Sequence, residues 1–332
     1  HRIGSACRFL SNLASFALIV SALYRRGRAL SIAPAVIVCH DIFALAAGVR
    51  LKRVFGCALL YDSHELWPEA DLIAQQWEKR LTARIEGRLV RDADVVVTVS
   101  PPLARHLERI YHIPHVISAP NAEPLAPPSI GRRVASSSKP LKCLLQGRVS
   151  PRRGIEELFE AWTEIEPDEA VLYVRCPQNA FLFELCAAFR KMIEDQRIVV
   201  LPAVPEHQLV EAAAFADIGL IPYWNSSLIH RYCCPNKLSQ YMQAGLALLC
   251  NDLEYVSMVV KQYDCGLTYN AAVPESLPQA VSWLAGHLGD LDRMKRNALR
   301  ASCSEFHWDA QSAEYRSALE SLYWRHSGEV RQ

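Results

Sequence analysis

Ten short aliphatic runs alternate along this chain with stretches of helical periodicity, and the alternation restricts the fold more than any other feature. In the first half the runs are Ala35–Cys39, Cys57–Asp62, Asp94–Ser100 and His115–Ser118. In the second half they are Leu141–Gln146, Ala170–Arg175, Ile198–Leu201, Asp217–Pro222, Ala247–Cys250 and Gly266–Tyr269. Helical patterns lie between them: Ile42–Val54, Trp67–Arg91 and Pro101–Tyr111, then Gly154–Ile165, Ala180–Ile193, Glu206–Phe215, Pro235–Ala244, Leu253–Gln262, Pro274–His287 and Leu291–Ala301. A last helix is expected over Trp308–Trp324. Strands in strict alternation with helices form parallel sheets covered on both faces. The stretch Pro124–Pro140, rich in Pro, Ser and Arg, reads as a linker between two such sheets.

The stretch Tyr232–Cys250 (YCCPNKLSQYMQAGLALLC) carries the clearest chemistry. Pro235 can open a helix and Gly245 can close it, after which Leu246–Cys250 reads as a buried strand. Lys237 and Gln240 stand three apart and share one face of that helix. Its N-terminus favours anions through free N–H groups and its dipole. A lysine and an amide at such a mouth suit a ligand with phosphates and hydroxyls. An ordinary surface Lys and Gln is the alternative.

Other segments accompany this one in a fixed order. They are VCHD at Val38–Asp41, YDSHELWPE at Tyr61–Glu69, ADVVVTVS at Ala93–Ser100, PNA at Pro120–Ala122, QGRVSPRRG at Gln146–Gly154 and ADIGLIPY at Ala216–Tyr223. Together with PNKLSQY they resemble the retaining glycosyltransferases of the GT-B fold, family-four type. The resemblance covers roughly residues 35 to 325. It implies an α/β chain of two Rossmann-like domains facing a cleft. The implied division is an acceptor-side domain at 1–130, a linker at 131–140, a nucleotide-sugar domain at 141–305, and a C-terminal helix at 306–332 crossing back toward the first domain. Family members carry an opening strand and a glycine-rich loop ahead of the point where this chain starts, so the first domain is expected to be incomplete.

The resemblance also assigns roles. Gly147, Arg148, Arg153, Gly154, Asn236, Lys237 and Gln240 would hold a nucleotide-diphosphate sugar. Arg148 and Arg153 would fork onto the diphosphate, and Gly154 would permit close backbone approach. Gln240 stands where the family usually has a Glu that accepts from ribose hydroxyls, and Tyr232 replaces a second Glu. The amide can still accept, without charge assistance. His40 and His64 follow strand patterns in the first domain and are the candidates for catalysis or acceptor orientation; either could equally be a satisfied structural histidine. Asp62 and Glu65 are close enough in sequence to suggest a carboxylate pair. Asn121 suits a tight turn. No metal or cofactor is implied, because cationic side chains and a helix terminus neutralise the diphosphate.

Composition agrees with two globular domains. The chain has 332 residues, 51% of them hydrophobic, and a formal charge of +1. That balance gives no field for nucleic acid. Eleven cysteines without zinc-type spacing fit buried thiols in a reducing compartment. The expected setting is cytoplasmic, with peripheral contact at the inner membrane face left open by the apolar stretch Leu10–Tyr24. That stretch is too short and too serine-bearing for a confident span; the resemblance implies a core helix, with an interfacial helix or part of a signal sequence as the alternatives. The expected function is transfer of a sugar from a nucleotide-diphosphate donor to a glycan, lipid-linked or small-molecule acceptor with retention. A nucleotide-sugar epimerase, or a binding homologue without turnover, are the alternatives.

Overall fold

In the computed structural model, residues 2–70, 75–125, 136–225 and 227–327 are described, with side chains from residue 14 onward. They fall into two compact units: residues 1–120 together with 312–332, and residues 121–311. Half of the expected linker, 131–135, lies outside the described residues.

The first unit is built on a four-stranded sheet of β1 (Val36–His40), β2 (Ala58–Ser63), β3 (Val95–Thr98) and β4 (Ile117–Ser118), all parallel in the order β1-β2-β3-β4. One face packs Ala58, Leu60, Val97 and Ile117 against Leu322, with Tyr315 and Leu319 beside it. The C-terminal helix Ala313–Ser327 thus covers the first sheet. Register pairs His40 with Asp62 across β1 and β2. Because side chains alternate along a strand, His64, two residues beyond Asp62, returns to the same side.

The apolar stretch Leu10–Tyr24 lies within the helix Arg2–Arg28, and the core-helix expectation does not hold for its described side chains. Val20 is buried, with Phe16 and Tyr24 packed beside it against Ala46 and Ala47, a stripe four residues apart. Leu18, Ile19 and Leu23 are exposed. Spacing buries one face of this helix and leaves the rest exposed. Among the described residues no helix is long and apolar enough to cross a membrane.

Beneath this sheet lies a buried acid. Glu86 is fully buried and accepts from the Tyr61 and Tyr111 hydroxyls, each at 2.6 Å. Burial pushes its carboxyl up to about 7, against the downward pull of both hydrogen bonds. A raised folded-state pKa means that the folded state holds the proton more tightly. The stabilisation is complete below the unfolded value near 4.5 and is lost as pH rises through about 7. The loss should be about 3 kcal/mol. Glu86→Gln keeps an acceptor for one tyrosine and offers a donor to the other. Urea titrations of both proteins should show the wild type losing stability relative to Glu86→Gln between about pH 5 and 8. A constant difference across that range would contradict the assignment.

The second unit carries a six-stranded, all-parallel sheet in the order β10-β9-β8-β5-β6-β7. Its strands are β5 (Leu141–Gln146), β6 (Ala170–Arg175), β7 (Ile198–Leu201), β8 (Ile218–Ile221), β9 (Ala247–Asn251) and β10 (Gly266–Tyr269). The chain reverses direction across the sheet between β5 and β8, where the order breaks, and ligands of such sheets bind beyond the strand ends at that point. Expected helices recur with breaks: Trp308–Trp324 divides at Ser312 into Trp308–Gln311 and Ala313–Ser327, Gly154–Ile165 ends in a 3₁₀ turn at Trp162–Glu164, and Glu206–Phe215 opens with one at Glu206–Gln208. Ala180–Ile193 divides at Phe189 into Ala180–Ala188 and Arg190–Glu194. Trp67–Arg91 resolves into a 3₁₀ turn at Trp67–Glu69 and a helix at Gln76–Leu89, with 71–74 outside the described residues.

Candidate functional site

Three segments of the second unit meet beyond the switch between β5 and β8. The first is Gly147–Arg148, after β5. Gly147 has φ +100°, where a side chain would be strained, and a Cβ there would point at the Lys237 side chain, 3.9 Å from Cε. Arg148 is exposed. The second is Arg153–Gly154. Gly154 has φ +74° and caps the helix Ile155–Ala161; a Cβ on it would stand 2.0 Å from the Pro222 carbonyl oxygen. Only glycine permits that approach to the end of β8. The third is the helix Asn236–Ala244, which Gly245 closes at φ +75° as expected.

Pro235 is the cap residue ahead of that helix and not its first residue, in extended conformation at φ −71° and ψ 138°. No side chain caps the N-terminus. Asn236, the first helical residue, is exposed. Lys237 and Gln240, by contrast, are 6% and 5% exposed, which removes the surface-residue alternative.

Lys237 is the unusual member. Its Nζ is buried without a hydrogen-bond partner among the described residues. It lies 5.0 Å from the centre of the Tyr223 ring. The Arg153 guanidinium carbon is 5.6 Å from the same centre, so one aromatic ring gathers two cations. A ring quadrupole returns about 0.5–2 kcal/mol per cation, less than an unpaired buried ammonium costs.

Tyr241 fixes these pieces to one another. Its hydroxyl accepts from the Gln146 backbone N–H at 2.8 Å, tying the helix to the end of β5. Gln146 in turn accepts from Arg175 at 2.9 Å and donates to the Leu209 carbonyl at 3.1 Å.

Gln240 has a partner that spacing along the chain does not reveal. Its amide donates to the Glu123 carboxylate at 2.9 Å. The Glu123 backbone N–H donates to Ser239 Oγ at 2.7 Å, and its carbonyl accepts from Gln243 at 3.1 Å and from the Trp308 N–H at 2.9 Å. Asn121 donates to the Cys234 carbonyl at 2.9 Å, so its role is to clasp this segment to the helix. A carboxylate is therefore anchored beside Gln240 although the helix itself supplies only an amide. The Glu three residues after Pro120 is the sole trace of it in the sequence.

A cavity of about 680 Å³ in this unit lies elsewhere. It is lined by Glu157, Glu160 and Glu164 with Trp224 and Pro274, and touches the site at Gly154. Three carboxylates disfavour a diphosphate there, so the cationic mouth is the better candidate.

In the first unit His40 and His64 come together. His40 Nδ1 is 3.0 Å from His64 Nε2 and 3.1 Å from Asp62 Oδ2, and His64 Nε2 is 3.5 Å from the same oxygen. Asp62 Oδ2 is thus shared by both histidines. Burial pushes the Asp62 carboxyl up, against the pull of His64 and His40. Asp41, at φ +65°, accepts from the His64 N–H at 3.2 Å and from Trp67 Nε1 at 3.0 Å, which locks the turn carrying His64. The three side chains are also the only group of the described residues whose donor atoms could hold a metal ion.

Comparison with known proteins places this architecture. Residues 5–121 match the model of the glycosyl transferase 4-like domain. Among curated proteins none matches the chain in sequence. Among solved structures, sucrose-phosphate synthase from Thermosynechococcus elongatus is 16% identical with a TM-score of 0.68, over 92% of this chain and 77% of that one. Anabaena HepE in complex with UDP is 14% identical with a TM-score of 0.67, over 92% and 82%. A UDP-forming α,α-trehalose-phosphate synthase from Burkholderia vietnamiensis is 13% identical with a TM-score of 0.69, over 94% and 77%. The fold is GT-B, of mixed α/β class with parallel sheets, and the resemblance to glycosyltransferases of that fold, read from the motifs, is borne out.

Proposed function

We propose that the chain is a retaining glycosyltransferase that takes a sugar from a nucleotide-diphosphate donor. The observation that carries this reading is the buried, unpartnered ammonium of Lys237 at the uncapped N-terminus of the helix Asn236–Ala244. A diphosphate would satisfy the ammonium and the free N–H groups together, with Arg148 and Arg153 neutralising the charge that grows on the leaving phosphate. Gly147 keeps the mouth beside Lys237 free of a side chain, Gly154 lets the Arg153 turn approach the end of β8, and Asn236 stands at the entrance. No metal is needed at the diphosphate, since these cations do that work. His40 and His64 are the residues we assign to the acceptor side.

The Glu123–Gln240 pair would meet the ribose hydroxyls, with Gln240 orienting the carboxylate that accepts from them. Charge-assisted acceptance of this kind supplies about 1.5–3 kcal/mol. Wild-type protein should therefore bind UDP more tightly than 2′-deoxy-UDP, and Glu123→Gln should reduce that preference. Arg148→Ala should weaken both ligands alike, by about 10- to 100-fold. Calorimetry on the six pairings of these three proteins with the two ligands tests the reading. Unchanged UDP affinity in folded Arg148→Ala would contradict the clamp, and an unchanged ribose preference in Glu123→Gln would place the carboxylate away from the sugar ring.

A further inference from the structure

We propose that His40, Asp62 and His64 form a binding site for a divalent transition-metal ion of the zinc class, with a fourth position open to water or a substrate hydroxyl. The proposal concerns the first unit alone and does not depend on the diphosphate reading.

The backbone brings the three ligands together. Parallel register sets His40 opposite Asp62 at the ends of β1 and β2. The two-residue step from Asp62 puts His64 on the same side. The Asp41 carboxylate then fixes the turn through the His64 N–H and the Trp67 indole. The arrangement is thus held by a strand pair and a pinned turn, and not by mobile surface side chains alone.

The separations fit an ion. Three ligands of a tetrahedral zinc, each about 2.0–2.1 Å from the metal, stand about 3.3 Å from one another. The observed separations are 3.0, 3.1 and 3.5 Å. One atom comes from each side chain, as coordination requires.

Protons account for the triangle less well. A proton on His40 Nδ1 can serve Asp62 or His64, but then the His64 Nε2 lone pair faces the Asp62 oxygen lone pairs. Protons on both nitrogens would crowd against each other across 3.0 Å. A single cation at the centre satisfies all three lone pairs at once. Two imidazoles and one carboxylate are a zinc-type set, whereas magnesium and calcium favour oxygen throughout. Side-chain exposure of 58% at His40 and 41% at His64 leaves an open approach for a further ligand. That is the layout of sites that activate or present a hydroxyl, and structural sites are closed by a fourth side chain.

The test uses the full chain, stripped of metal with a chelator and titrated with Co²⁺, then Zn²⁺. One Co²⁺ per chain is expected, with the visible bands of a four- or five-coordinate ion and no thiolate charge-transfer band, and Zn²⁺ should displace it. A large excess of Mg²⁺ should not compete. His40→Ala and His64→Ala should each weaken binding by at least about 100-fold, while circular dichroism confirms that both variants fold. Asp62→Asn, which keeps shape and loses charge, should weaken binding as well. Absence of stoichiometric Co²⁺ binding, a thiolate band, or affinity unchanged in the two histidine variants would each overturn the proposal.

Discussion

Lys237→Met is expected to weaken nucleotide-diphosphate binding and to stabilise the empty protein in the same step. The two effects share a cause. In the free protein the ammonium is buried and has no hydrogen-bond partner among the described residues; only the Tyr223 ring at 5.0 Å offsets its desolvation. A buried charged donor left unmade costs more than the roughly 1–3 kcal/mol of a neutral one, and the ring returns at most about 2 kcal/mol. Methionine fills a similar volume without the charge, so the free protein should gain about 1–2 kcal/mol. With nucleotide present the balance inverts. The variant loses a charge-assisted contact and about 10- to 100-fold in affinity. Thermal melts with and without UDP read both effects. A variant that melts earlier than wild type when empty would show Lys237 to be a structural residue.

Lys295→Met should have the opposite effect on the fold. Lys295 and Asp217 form an ion pair at 2.8 Å inside the second unit, with side chains 3% and 11% exposed. Asp217 also accepts from the Lys142 backbone N–H at 3.0 Å, and Lys295 donates to Ser137 at 3.1 Å. Removing the lysine leaves a carboxylate buried beside one amide donor. Breaking such a pair from one side costs about 3–5 kcal/mol. Replacing both partners, as Asp217→Asn with Lys295→Met, removes the uncompensated charge and should recover much of the loss. Urea unfolding of the single and double variants measures this. A loss below about 1 kcal/mol in Lys295→Met would contradict the burial argument.

The strands are legible in the sequence because a parallel sheet covered on both faces demands unbroken aliphatic runs. Leu141–Gln146 and Ala170–Arg175 form strands with the expected ends. The helix before Gly245 is legible for a local reason, since Pro and Gly punctuate the chain at its ends. What stays hidden depends on contacts distant in sequence. Glu123 meets Gln240 across 117 residues, and no periodicity announces it. Asp62 looks paired with Glu65 when only spacing is visible; strand register pairs it with His40. The helix Arg2–Arg28 shows the converse. Its composition is apolar, yet neighbouring packing buries Val20 and leaves Leu18 exposed.

The mouth formed by Gly147–Arg148, Arg153–Gly154 and the helix Asn236–Ala244 is the proposed seat of a nucleoside diphosphate, held by its phosphates. Isothermal titration of the full chain with UDP, UMP and uridine in turn tests it most directly. One UDP per chain is expected, with a loss of about tenfold or more on removing the β-phosphate and weaker binding still for uridine. Equal affinity for all three would place recognition on the base and contradict the account, and so would failure of UDP, GDP and ADP alike to bind.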